Sequence, residues 1–240
     1  MGEASSDIMN DTNLLADRLD IVYYTDPLCC WSWALEPHLQ QLKQELGPRF
    51  SIRYCMGGLI ESWNSFNDGL NSISKPIQMG PLWMQASHIS GVPMNSNIWV
   101  TDPPASSYLA CVAVKCVFLQ SFAWGEAYLR SLREQLMTNG LNIALQSNLL
   151  KVAKELAARY PGFDFDQFAA DLENDRGMQA FRTDLQEVRY KNISRFPTLI
   201  LSGGDKASII TGYRTYRQLV DIIHRLNTND AVSQGAPERK

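Results

Sequence analysis

The stretch that most constrains this chain is Asp20–Pro37, which reads Asp-Ile-Val-Tyr-Tyr-Thr-Asp-Pro-Leu-Cys-Cys-Trp-Ser-Trp-Ala-Leu-Glu-Pro. Ile21 to Tyr24 are β-branched and aromatic, which suits a short buried strand. Asp26-Pro27 breaks that strand. Beyond it, Trp33, Leu35, Leu39, Leu42 and Leu46 recur at helical spacing until Gly47-Pro48 ends the run. Cys29 therefore falls where a strand hands over to a helix, just before the first turn. The free N–H groups and dipole of a helix start favour negative charge, so a thiol there is expected to ionise more readily. A cysteine in ordinary apolar surroundings is inert core. The position of Cys29, after Asp-Pro and at a helix start, sets it apart.

With 240 residues the chain is long enough for one substantial core, or for a domain carrying a large insertion. Its 45% hydrophobic and 20% charged residues are those of an ordinary globular protein. A formal net charge of -3 gives no reason to expect nucleic acid or an anionic membrane as partner, and no run approaches the length of a membrane helix. Residues 1–19 are polar, with neither a basic start nor an apolar run, and are expected to be a flexible N-terminus. The five cysteines are odd in number and not spaced as a disulfide framework, so a reducing cytoplasm is the simplest compartment.

Phe50–Met56 reads as a second strand, with Phe50, Ile52, Tyr54 and Met56 on one face and Cys55 on the other, in the core. Gly57-Gly58 ends it, either as a turn that needs small residues or as a close backbone approach to a neighbouring site. Residues 60–102 read as a long irregular loop pinned by Trp63, Trp83 and Trp99, some of them expected beside Cys29. His88 lies in this loop as a candidate accessory residue, and no metal-ligand spacing surrounds it. Helices are expected over Ala105–Phe122, Gly125–Asn139, Ile143–Arg159, Phe165–Asn174 and Gly177–Ile193. Cys111 and Cys116 read as core. Thr198–Leu201 and Ala207–Thr211 form a hairpin around Gly203-Gly204-Asp205. Tyr216–Leu226 closes the chain as an amphipathic helix, and 227–240 read as a disordered tail. Strand, helix, strand, helical stretch, strand, strand, helix fits α/β or α+β with a mixed sheet.

The segment Thr25-Asp26-Pro27-Leu28-Cys29-Cys30-Trp31-Ser32-Trp33-Ala34-Leu35-Glu36-Pro37 resembles the active-site segment of the DsbA-like branch of the thioredoxin superfamily, and is most similar to its cytoplasmic, FrnE-like dithiol-disulfide isomerases. The resemblance implies an α/β thioredoxin fold with a large all-helical insertion between the second and third strands. Residues 20–60 and 195–226 would form the thioredoxin-like domain and 61–194 the loop and helical insertion. Cys29 matches the attacking cysteine. Ser32 stands where the family has its second cysteine. Pro197, in Arg195-Phe196-Pro197-Thr198, matches a family proline that is cis, although base rates alone argue for trans. Phe196, Pro197 and Trp31 are then the expected substrate-binding residues. Cys30 and Asp26 join His88 as accessory candidates: Cys30 as a spacer within the motif, Asp26 either as a turn former or as a charge that raises the Cys29 thiol.

A Cys-x-x-Cys pair attacks a disulfide with its first thiolate and releases the product with its second. With Ser32 in the second position that internal release is absent, while the serine can still donate a hydrogen bond to the thiolate. The expected activity is thiol–disulfide exchange through Cys29, released by an outside thiol such as glutathione. Glutathione is thus expected as a co-substrate, with no tightly bound cofactor and no metal. Protein or small-molecule thiols and disulfides are the expected partners, with a homodimer as one assembly. Two alternatives stand beside it: a glutathione-dependent isomerase or transferase of the kappa type, and a non-catalytic DsbA-like adaptor that delivers clients to a protease.

Overall fold

The computed structural model describes residues 18–203 and 205–227. The flexible N-terminus expected over 1–19 lies almost wholly outside the described residues, and so does all but the first residue of the tail expected over 227–240. Strand β1 (Leu19–Thr25) leads through the Asp-Pro turn into helix α1 (Cys30–Leu46), with Cys29 as its N-cap residue. Strand β2 (Phe50–Met56) follows. Seven helices are then described before the sheet resumes: α2 (Met79–Ser90), α3 (Ile98–Thr101), α4 (Tyr108–Phe118), α5 (Phe122–Met137), α6 (Gln146–Arg159), α7 (Phe165–Glu173) and α8 (Asp175–Tyr190). The hairpin β3 (Thr198–Gly203) and β4 (Lys206–Thr211) and the helix α9 (Tyr216–Asn227) complete the fold.

The sheet order is β2-β1-β3-β4. Strand β1 runs parallel to β2, with Thr25 opposite Met56, and antiparallel to β3, with Tyr24 opposite Thr198. This register is what builds the site. The ends of β1 and β2 and the start of β3 meet at one edge, so the segments after Thr25 and Met56 and the segment before Thr198 converge there. Strand alternation sends Tyr23 and Tyr24 to opposite faces of the sheet. Tyr23 joins the main core, which runs without a break from Ile21 through Leu35 and Leu42 of α1 to Trp83, Leu132, Phe168 and Phe181 of the inserted helices. Tyr24 joins Cys55 and Val188 in a smaller cluster beneath α8. Each large side chain buried in this way contributes about 1.5–3 kcal/mol.

Two sequence expectations need correction. The stretch 60–102 is not a structureless loop, because it contains α2 and α3. Met79, Trp83 and Ala86 of α2 are buried at helical spacing, and the helix ends on Gly91 in the left-handed conformation at φ 72°. Trp83 and Trp99 pack edge to face at 5.3 Å, and Trp63 meets Trp99 at 5.9 Å. The tryptophans therefore pin this segment, and none of the three lines the cleft beside Cys29. The helices expected to begin at Gly125 and Gly177 instead begin earlier, at Phe122 and Asp175, and contain those glycines. Each glycine marks a close approach of two helices. A Cβ at Gly125 would lie 2.3 Å from the Phe118 ring, and one at Gly177 would lie 2.2 Å from the Cys116 sulfur.

Candidate active site

Cys29 lies on the wall of a cleft of about 1060 Å³, between the motif turn, the Gly57–Leu59 corner, the segment around Asn67 and the loop before β3. It is only 5% exposed. Its thiol donates to the backbone carbonyl oxygen of Phe196 at 3.3 Å. The Phe196–Pro197 peptide bond is cis, as the resemblance implies, and Pro197 is buried while Phe196 faces the cleft. Gly57 accounts for the fit of the Phe196 ring: a Cβ there would stand 2.0 Å from the ring carbon. Gly58 adopts a φ of 63°, which only glycine takes easily. Both readings of the glycine pair therefore hold, one for each residue.

The Cys29 thiol runs against the simple expectation for a helix start. Burial pushes it up from the ordinary thiol value, while the Ser32 hydroxyl and amide pull it down; the Asp26 charge adds to the rise and Arg133 opposes it. The net direction is upward, because the turn that holds Cys29 is closed over by the cleft walls. Ser32 is fully buried, and among the described residues its Oγ has no hydrogen-bond partner. These two facts belong together. The neutral thiol donates to the Phe196 carbonyl and its sulfur is only a weak acceptor for the serine hydroxyl, whereas an ionised sulfur would be a strong one. Cys30 is buried in the core at the first turn, and burial, with the neighbouring Cys29, holds its thiol well above the ordinary range. All five cysteines are free thiols.

Asp26 both forms the turn and faces inward. It is fully buried, and its Oδ1 accepts from the Leu28 amide at 2.8 Å. Its Oδ2 accepts from the Leu59 amide at 2.6 Å, the Ser107 hydroxyl at 2.8 Å and the Cys111 thiol at 3.4 Å. Burial raises the carboxyl above the ordinary carboxylate range, and the Leu59 and Leu28 amides offset part of that rise. Trp31 lines the cleft with its ring 6.0 Å from that of Tyr213, whose hydroxyl meets His38 Nε2 at 2.9 Å. His88 sits exposed on α2 and does not line the cleft. Cys29, Ser32, Asp26, Cys30, Trp31, Phe196 and Pro197 are thus brought together, and His88 is not.

Sequence reasoning missed Ser107, Glu36 and Arg133, while Cys111, read as core, is buried there and its thiol also reaches Asp26. Arg133 carried one signal: it lies between Leu132 and Leu136, on the apolar face of α5, and is fully buried. Among the described residues no cluster of His, Cys, Asp and Glu is arranged to hold a metal ion. No described helix is long and apolar enough to cross a membrane.

A family model described as Thioredoxin matches residues 23–221, and the chain belongs to the thioredoxin family. Its four-stranded sheet and helical insertion share the fold of the solved structures it superposes on. Among curated relatives, the ClpXP adapter protein SpxH of Halalkalibacterium halodurans is 30% identical over 208 residues, covering 85% of this chain and 66% of the relative. The SpxH of Bacillus subtilis is 29% identical, covering 75% of this chain and 57% of the relative. The chain thus spans two thirds or less of the length of these relatives. Among solved structures, a candidate protein disulfide isomerase from Nitrosomonas europaea superposes with a TM-score of 0.69 at 22% identity, covering 86% of this chain and 97% of that one. The cytosolic disulfide reductase DsbM of Pseudomonas aeruginosa, solved alone and with GSH, gives 0.64 at 18% identity when alone, covering 86% and 95%. At these identities the solved structures establish the fold.

Proposed function

We propose that this protein performs thiol–disulfide exchange through the single cysteine Cys29, in a reducing compartment, with glutathione or a similar small thiol completing the cycle. The observation that carries the reading is the pairing of the Cys29 thiol with the Phe196 carbonyl on the wall of the cleft. In the first step the Cys29 thiolate attacks one sulfur of a partner disulfide. A Cys29–partner mixed disulfide forms and the other partner sulfur leaves as a thiolate. The proton lost from Cys29 passes to solvent, and Ser32 Oγ gains the sulfur as a strong acceptor. In the second step a glutathione thiolate attacks the partner sulfur, forms a glutathione–partner disulfide and returns Cys29 as thiolate. Because Ser32 cannot attack, the mixed disulfide persists until the external thiol arrives.

The test is alkylation of the full chain across a pH series, together with mass measurement after incubation with oxidised glutathione. One glutathione per chain on Cys29, absent in Cys29→Ala, is the expected result. Because burial raises the thiol, alkylation at pH 7 should be slower than for a free cysteine and should keep rising beyond about pH 8.5, the free-thiol value. A chain that takes up no glutathione at any pH overturns the reading.

One further observation favours a second reading, a binding adaptor that uses the same cleft without turnover. The 30% identity to an adapter protein covers 85% of this chain. On that reading Cys29→Ala leaves partner binding intact, whereas closing the cleft by Gly57→Leu abolishes it.

A further inference from the structure

At the turn that carries Cys29, a buried guanidinium from the inserted helices meets the end of β1. Arg133 of α5 is fully buried. Its Nη1 donates to Glu36 Oε2 of α1 at 2.9 Å. Its Nη2 donates to Thr25 Oγ1 and, at 3.4 Å, to the carbonyl oxygen of Asp26. That same carbonyl accepts from the Cys29 amide at 3.1 Å. One side chain therefore grips the last residue of β1, the first residue of the motif turn and the second turn of α1. Glu36 is held in turn by Gln40, which donates to its other oxygen at 3.1 Å. The Arg133 guanidinium carbon also stands 5.9 Å from the centroid of the Tyr23 ring, whose hydroxyl donates to the Ser32 carbonyl at 3.3 Å.

We propose that Arg133 is a positioning residue for Cys29: it fixes the turn between β1 and α1 through Thr25 and the Asp26 carbonyl, and so brings a permanent positive charge to the turn that carries the sulfur, favouring the thiolate over the thiol. This deepens the exchange reading and rests on Cys29 being its reactive group. A buried cation is more effective here than an exposed one, because little water intervenes to screen it. Arginine suits the position better than lysine, since its planar fork reaches three acceptors in fixed directions and it does not lose its proton. The arrangement also gives the insertion a chemical use. Apart from forming part of the cleft, it supplies a charge to the turn that carries the nucleophile.

The test follows iodoacetamide alkylation of Cys29 in the full chain against pH, located by peptide mass, with a thermal melt of each variant. Glu36→Gln with Arg133→Met removes the guanidinium that holds the turn together with the carboxylate beyond it, leaving the net charge unchanged and neutral groups of similar reach, an exchange buried ion pairs often tolerate. The expected result is alkylation about tenfold slower at pH 7 with the pH profile displaced upward, since the thiolate is the reacting form. Arg133→Lys keeps a cation but lacks the fork that reaches three acceptors, and should give a rate between that of the paired variant and that of the unsubstituted chain. Thr25→Val leaves the ion pair and the Nη2 contact to the Asp26 carbonyl in place, releases only the Nη2 contact to Thr25, and should slow alkylation about threefold. Should the paired variant fail to fold, Thr25→Val and Arg133→Lys decide: a profile that does not move in the first overturns the proposal. An unchanged profile in a folded paired variant overturns it as well. Failure of the exchange reading itself would show separately, as the absence of a glutathione adduct on the unsubstituted chain.

Discussion

Among the described residues three ion pairs tie the inserted helices to the thioredoxin-like part of this protein, and two of them, both built on arginine, differ sharply in their surroundings. The inner pair, Arg133 of α5 with Glu36 of α1, has side-chain exposures of 0% and 9%. The outer pair, Glu187 of α8 with Arg53 of β2, has 25% and 52%, respectively. Both arginines are engaged by two guanidinium nitrogens, Arg53 with both on the one carboxylate at 3.0 and 2.6 Å. Glu187 also accepts from the Tyr24 hydroxyl at 2.7 Å. The outer pair is bidentate, whereas Arg133 gives one nitrogen to Glu36 and the other to Thr25 and the Asp26 carbonyl. What separates them further is water: the inner pair has lost its hydration and depends on its partners, while the outer one can exchange either partner for solvent. The inner pair stands at the turn that carries Cys29, and the outer pair fastens a helix to the sheet.

The largest expected effect breaks the inner pair from one side. Arg133→Met leaves the Glu36 carboxylate buried among apolar groups with only Gln40 as a partner. Removing one member of a buried pair costs about 3–5 kcal/mol. Denaturant unfolding should show that loss, and the paired change with Glu36→Gln should recover most of it. If both variants lose the same stability, the cost lies in the packing of the arginine stem rather than in the stranded charge. Next in size is Asp26→Asn. The carboxylate accepts backbone amides on both oxygens, from Leu28 on one and Leu59 on the other. An amide side chain can accept on one side only, and turns an N–H toward the other donor. An unsatisfied buried donor costs about 1–3 kcal/mol, so a lowered unfolding midpoint is expected, smaller than for Arg133→Met.

These inner contacts are also where sequence reasoning stopped. The strand, turn and helix around Cys29 were legible because their signals are local: β-branched residues, Asp-Pro, then leucines at helical spacing. Phe50–Met56 was legible to the residue for the same reason. Arg133 and Asp26 find each other across 107 positions, and Asp26 finds Ser107 across 81. No periodicity records such a meeting; the only trace is a charged residue on an apolar helix face. The glycines misled for a related reason. Gly125 and Gly177 look like helix boundaries by propensity, yet they sit inside helices where a neighbour needs the space of a Cβ. The helix α2 was hidden by Gly80-Pro81 and polar neighbours, although Met79, Trp83 and Ala86 already carried its period.

The smallest expected effect sharpens the contrast from the outer side. The Arg53 guanidinium holds the Glu187 carboxyl below its usual range. A carboxyl whose folded value is depressed contributes stability that is fully present above its unfolded value, about 4.3. That contribution is lost as pH falls through the lower, folded value. Arg53 is half exposed, so solvent screening keeps the contribution below about 1 kcal/mol. Glu187→Gln should therefore lower stability slightly at neutral pH, and the difference from the unsubstituted protein should shrink at acid pH. Salt should act on the same difference: going from 0.1 to 1 M shortens the screening length from about 10 to about 3 Å. The cost of Arg133→Met should be far less sensitive to salt, because no ions enter between its partners. An equal salt response at the two sites would mean that water reaches Arg133, and the charge at the turn that carries Cys29 would then be too weakly felt to set its reactivity.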